Sequence, residues 1–79
     1  MISIGDYVTF DELPGWVSGL AARSQQVFRY CVGRTYPVVE IDDNGLCVLD
    51  VSVDVDEKFG GYKNDLRIEA AYLRKVACD

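Results

Sequence analysis

Thr35-Tyr36-Pro37-Val38-Val39-Glu40-Ile41-Asp42-Asp43-Asn44-Gly45-Leu46-Cys47-Val48-Leu49-Asp50-Val51-Ser52-Val53-Asp54-Val55 is the stretch on which the fold turns. Its first eight residues are rich in β-branched and aromatic side chains, which favour a pleated, half-buried strand. Pro37 has no N–H to give to a ladder, so it belongs at the strand's start or on an edge. Asn44-Gly45 between two β runs signals a tight hairpin, and a type I′ turn there requires positive φ at both residues. The return strand is predicted over Leu46 to about Val55. Cys47, Leu49, Val51, Val53 and Val55 alternate onto one face, with Asp50, Ser52, Asp54 and Asp56 on the other.

Upstream, Asp6 to Phe10 follows Gly5 and places Ile4, Val8 and Phe10 on one side of a strand. Asp11-Glu12 closes it. Residues 13–33 change period. Leu20, Ser24, Val27, Phe28 and Cys31 recur at helical spacing, while Arg23, Gln26 and Arg29 face away. Ser18-Gly19 weakens the middle of this stretch, because glycine costs about 1 kcal/mol against alanine in a helix. A short helical turn over Pro14–Ser18 and a better helix over Ala22–Val32 are predicted, with Gly33 as the stop. Downstream, Gly60-Gly61 marks a loop and Asp65 to Glu69 alternates again with Leu66 and Ile68 inward. Ala70-Ala71-Tyr72 reads as a single turn, and Leu73 to Val76 as a last short strand.

Seventy-nine residues suffice for one domain, residues 1–79. Hydrophobic residues are 49% and charged residues 27%, as in ordinary globular chains. No apolar run approaches the roughly 18 residues of a membrane span. The start of the chain shows no basic n-region or apolar h-region, so a cytoplasmic location is expected. Cys31, Cys47 and Cys78 lack the spacing of a metal or redox pair. Cys31 and Cys47 read as small buried hydrophobes, and Cys78 as an exposed thiol.

Five short strands with little helix cannot bury their faces as an open sheet at this size, and closure into a small barrel removes the edges. Gly5-Asp6-Tyr7-Val8, the Asp43-Asn44-Gly45 hairpin and Ala70-Ala71-Tyr72-Leu73 resemble the layout of an SH3-like small barrel. The resemblance implies a mainly β fold, a five-stranded barrel closed by the last strand after a 3₁₀ turn. A helical insertion over about 14–32 fills the long loop after the first strand, a departure from the family. The groove motifs that bind proline-rich peptides in SH3 domains are missing, apart from Tyr72 beside the last turn, so that activity is not implied. The chain as a whole also has the look of a small bacterial protein.

The net charge is −5, and nucleic-acid binders usually carry the opposite sign. The charge is uneven. Residues 40–57 hold Glu40, Asp42, Asp43, Asp50, Asp54, Asp56 and Glu57 without a base, and residues 13–39 hold Arg23, Arg29 and Arg34 without an acid. Asp50, Asp54 and Asp56 form a candidate acidic face for a basic partner or, with Glu57, for a hard cation. The calcium-loop pattern fails at Lys58 and Phe59, so no resident metal and no cofactor are expected. There is no histidine to activate Ser3, Ser18, Ser24 or Ser52, so catalysis is not expected.

The candidate binding residues are therefore Trp16, Phe59, Tyr62, Tyr72, Asp50, Asp54 and Asp56. Trp16 either pins its turn to the core or stands as an anchor in a groove. Phe59 and Tyr62 flank Gly60-Gly61 and are either exposed anchors or rings folded back onto the sheet. The expected role is a non-enzymatic protein-interaction module or small subunit of a larger complex, monomeric or weakly dimeric. The alternative is a nucleic-acid-binding barrel using Lys58, Lys63, Arg67, Arg74 and Lys75.

Overall fold

The computed structural model describes residues 2–76. Cys78, and any bond it makes, lies outside the described residues. The strands are β1 (Tyr7–Thr9), β2 (Tyr36–Ile41), β3 (Leu46–Asp50), β4 (Asp65–Glu69) and β5 (Arg74–Lys75). The helices are α1 (Ala22–Cys31) and α2 (Ser52–Phe59), and 3₁₀ turns span Gly15–Gly19 and Ala70–Tyr72. The strands form one antiparallel sheet in the order β4-β3-β2-β1-β5.

β2 joins the two halves of the sheet. Its start pairs with β1 through Tyr36 and Pro37, and its later residues pair with β3. The register shifts between Val38 and Glu40, where an irregularity re-aims the strand. Pro37 sits as expected, second in its strand. Gly5, at φ 95°, donates to the Val38 carbonyl at 2.8 Å and fixes the approach of β1.

The hairpin forms where predicted, by a different turn. Gly45 has φ 82°, whereas Asn44 is not in the left-handed region. Gly45 N–H donates to the Asp42 carbonyl, and the Asp42 carboxylate accepts from Asn44 and Leu46 N–H, both at 2.9 Å. The loop is thus the three-residue type, a type I turn followed by a glycine bulge. Those backbone donors, foremost that of Leu46, hold the Asp42 carboxyl below its ordinary pKa.

The largest departure is at the predicted return strand. It stops at Asp50, and Ser52–Phe59 is helical. Val51, Val53 and Val55 satisfy a period of two, but Val51, Val55 and Phe59 satisfy a helical i, i+4, i+8 period equally well. Burial decides between them: Val51 and Val55 are buried, while Val53 is 77% exposed. Asp50 supplies the switch. Its Oδ1 accepts from Ser52 N–H at 3.0 Å and Ser52 Oγ–H at 2.6 Å, just as Val51 leaves the strand.

Two corrections follow. With α2 present, the fold is a mixed α and β arrangement rather than a mainly β one. The ladder also stays open. β4 pairs only with β3 and β5 only with β1, so the sheet is not closed into a barrel. Closure by hydrogen bonds is unnecessary for burying the core side chains of the strands, because the helical segments supply side chains to the same core. Val17, Phe28, Cys31, Val51 and Val55 join Val8, Phe10, Tyr36, Val38, Leu49 and Ile68 in one cluster. α1 ends as expected, with Gly33 at φ 79° donating back to the Phe10 carbonyl at 2.9 Å.

Candidate binding groove

The site begins with the 3₁₀ turn at Gly15–Gly19. Val17 and the preceding Pro14 are buried and tie this turn to the core. That leaves Trp16 on the rim, 40% exposed, with its ring edge-on to Phe28 at 5.5 Å between centroids. Its Nε1–H donates to Glu69 Oε1 at 2.6 Å, linking the turn to the end of β4. The indole is therefore pinned to the core side and to β4, with part of its surface left exposed.

Between the rim and β4 runs a groove of about 370 Å³. Trp16, Leu20, Val27 and Phe28 form its apolar wall, and Asn64 to Arg67 form the opposite side. At the end away from Trp16, the Arg23 guanidinium donates to the Phe59 carbonyl. In β4, Leu66 and Ile68 point into the core while Asp65 and Arg67 stay exposed. Arg67 reaches Asp42 at 3.2 Å. Asp65 has no basic partner among the described residues.

The three aspartates do not share a face, because two of them lie in the helix rather than on a strand. Asp50 holds Ser52. Asp54 accepts from the Tyr36 hydroxyl at 2.6 Å and lies 3.8 Å from Arg34. Burial, reinforced by the Asp54 carboxylate, pushes the Tyr36 hydroxyl far above the ordinary phenol range. Asp56 accepts from Lys63 N–H at 2.8 Å, from Asn64 N–H at 3.0 Å and from the Asn64 amide. The Asn64 backbone donor is the main reason its pKa is lowered. Asp56 thereby clasps the loop that delivers β4 to the groove.

Phe59 is folded back, half-buried and edge-on to Tyr30 at 5.6 Å, so it is not an exposed anchor. Tyr62 is 80% exposed. Tyr72 lines a separate depression of about 210 Å³ with Asp11, Glu12 and Ala71. Burial pushes the thiols of Cys31 and Cys47 above their ordinary pKa, which withdraws them from nucleophilic chemistry. Of the seven candidate residues, only Trp16 lines the groove. Leu20, Val27, Asp65, Leu66 and Arg67 were legible as helix face and strand, but not as two walls of one cleft. Among the described residues, no helix is long and apolar enough to cross a membrane. Comparison with known proteins gave no match to a family model, a curated protein or a solved structure.

Proposed function

We propose that this protein is a non-enzymatic interaction module, a small subunit or adaptor that engages another protein through the cleft between α1 and β4. The observation that carries this reading is the partly exposed Trp16 on the rim of a groove with one apolar wall. An aromatic ring held rigid by Phe28 and Glu69 offers contact area at little entropic cost, as binding anchors do. An SH3-like relationship is part of the proposal. The strand order and the 3₁₀ turn leading into β5 support it. Free, buried cysteines fit a reducing compartment such as the cytoplasm.

The nucleic-acid reading is weakened by local neutralisation. Arg67 pairs with Asp42, Arg74 with Asp11 and Lys75 with Asp6, while Lys58 lies over the Tyr30 ring. Basic groups already matched to carboxylates release few counterions on meeting phosphate.

The test is affinity capture from cells of the source organism with wild type, Leu20→Glu and Tyr62→Ala. A charge at Leu20 enters the groove wall, and a melting curve checks that the fold survives. The expected result is a protein retained by wild type and Tyr62→Ala and lost by Leu20→Glu. Equal retention by all three would remove the groove from the proposal.

A further inference from the structure

β4 is an edge strand, and the direction of its unused hydrogen bonds can be worked out. Val51 N–H donates to the Asn64 carbonyl at 3.3 Å, and the register pairs Leu49 with Leu66 and Cys47 with Ile68. Bonding groups alternate along an antiparallel strand. Residues 64, 66 and 68 therefore turn their N–H and C=O groups toward β3. Asp65 and Arg67 turn theirs outward, where no backbone or side-chain partner meets them among the described residues. This free edge belongs to the side of the groove that faces Trp16, Leu20 and Val27.

We infer that the groove binds its partner by strand addition. An extended segment lies antiparallel to β4 and reads, from its N-terminus, acidic, apolar, basic. The inference rests on the groove being the binding site and deepens that reading. Hydrogen bonds from Asp65 and Arg67 take the backbone of the added strand. In an antiparallel pair, residues directly opposite one another share a face. The residue opposite Leu66 thus points to the core side and meets the apolar wall of the groove. The residue opposite Arg67 lies beside a cation that meets Asp42 at 3.2 Å yet stays 54% exposed, and the one opposite Asp65 lies beside a carboxylate with no basic partner among the described residues. Opposite charges are favoured at such positions and like charges are disfavoured. Asp65-Leu66-Arg67 itself has the complementary pattern, which raises a second copy as occupant. Leu66 is only 7% exposed, however, already spent in its own core, so it cannot fill a neighbour's groove. A free extended segment fits where a second copy does not.

The experiment uses fluorescein-labelled peptides with the centres Glu-Leu-Lys and Lys-Leu-Glu between Gly, Ser and Thr flanks, followed by anisotropy. The full-length wild type should bind the first about tenfold more tightly, from two cross-strand pairs that change sign. The double variant Asp65→Lys with Arg67→Glu should reverse that order. Methylating the backbone nitrogens of the peptide's glutamate and lysine should abolish binding, while methylating that of the leucine should not, because only the first two face β4. Three results overturn the inference: no saturable binding, equal affinities, or a preference the double variant leaves unmoved. A dimer in sedimentation that Asp65→Lys splits and Leu20→Glu leaves whole also overturns it, with a second copy on the edge. Should the peptides fail while Leu20→Glu still loses its captured protein, strand addition falls and the groove's role stands.

Discussion

Side chains chosen by type alone separate once their surroundings are known. Phe59 and Tyr62 stand three residues apart around a glycine pair, yet one ring packs edge-on against Tyr30 and the other is 80% exposed. Phe59→Ala should lower the melting temperature by several degrees, because truncating a packed aromatic removes transfer energy and leaves a void. Tyr62→Ala should move it by less than about 2 °C, the scale of an exposed substitution. Matching losses from the two variants, followed by circular dichroism, would mean the loop is packed differently. Thr9 makes a second case. It is buried between β2 and β5, and its Oγ1 has no partner among the described residues. An unsatisfied buried hydroxyl costs about 1–3 kcal/mol, so the near-isosteric Thr9→Val should stabilise the fold. A lower urea midpoint for Thr9→Val would show that the hydroxyl is satisfied.

The chief lesson at the level of elements is the segment after Asp50. Aspartates and valines alternate there, and alternation is a strand signal. The same residues carry a helical period through Val51, Val55 and Phe59. Sequence offers both, and the arbiter is the surface available to cover. β3 has already given the core Cys47 and Leu49, and turning into α2 lets Val51 and Val55 follow on one helix face. Val53 then falls to the solvent side, where β-branching costs helix stability and packing gains nothing. Val53→Ala should therefore raise stability by about 0.5 kcal/mol, the propensity difference in a helix. In a strand, where β-branched residues are favoured, the same change would lower it. Thermal unfolding of the single variant distinguishes the two. By contrast, α1 was legible from spacing alone, because only one period fits Leu20, Val27, Phe28 and Cys31. Its Gly33 stop follows from the one residue that takes positive φ without strain.

Over the whole molecule, carboxylates hold the turns. Asp6 accepts from Ser3 N–H, Asp42 from the hairpin donors, and Asp56 from Lys63 and Asn64. Each has its pKa lowered from 3.8, in each case chiefly by a backbone N–H. A depressed folded-state pKa contributes stability that is present above the unfolded value and lost as pH falls through the folded one. Stability should therefore drop below about pH 4, with all three turns loosening together. Asp56→Asn should be less stable than wild type at pH 7, and the gap should close as pH falls from about 5 to 2. A gap that stays constant across that range, measured by urea melts, would mean the Asp56 charge does not hold the loop.

Local chemistry was enough to place β2, the start of the return strand at Leu46, the position of α1, the 3₁₀ turn at Ala70–Tyr72 and the inward set Leu66 and Ile68. Each rests on local chemistry: alternation, helical spacing, or a glycine where φ must be positive. Trp16 was recognisable as a residue with two possible roles, since an indole can pack and bind at once. Long-range packing was needed to show that Asp50, Asp54 and Asp56 do three separate jobs, that Phe59 turns inward, and that β4 keeps a free edge beside the groove. Those outcomes depend on strand order and on which faces remain uncovered after the core is filled. The groove's two walls lie about forty residues apart in the chain, and the β3–β4 ladder and the Trp16–Glu69 bond bring them together. No local period encodes that meeting, because it is set by long-range burial rather than by neighbours in sequence.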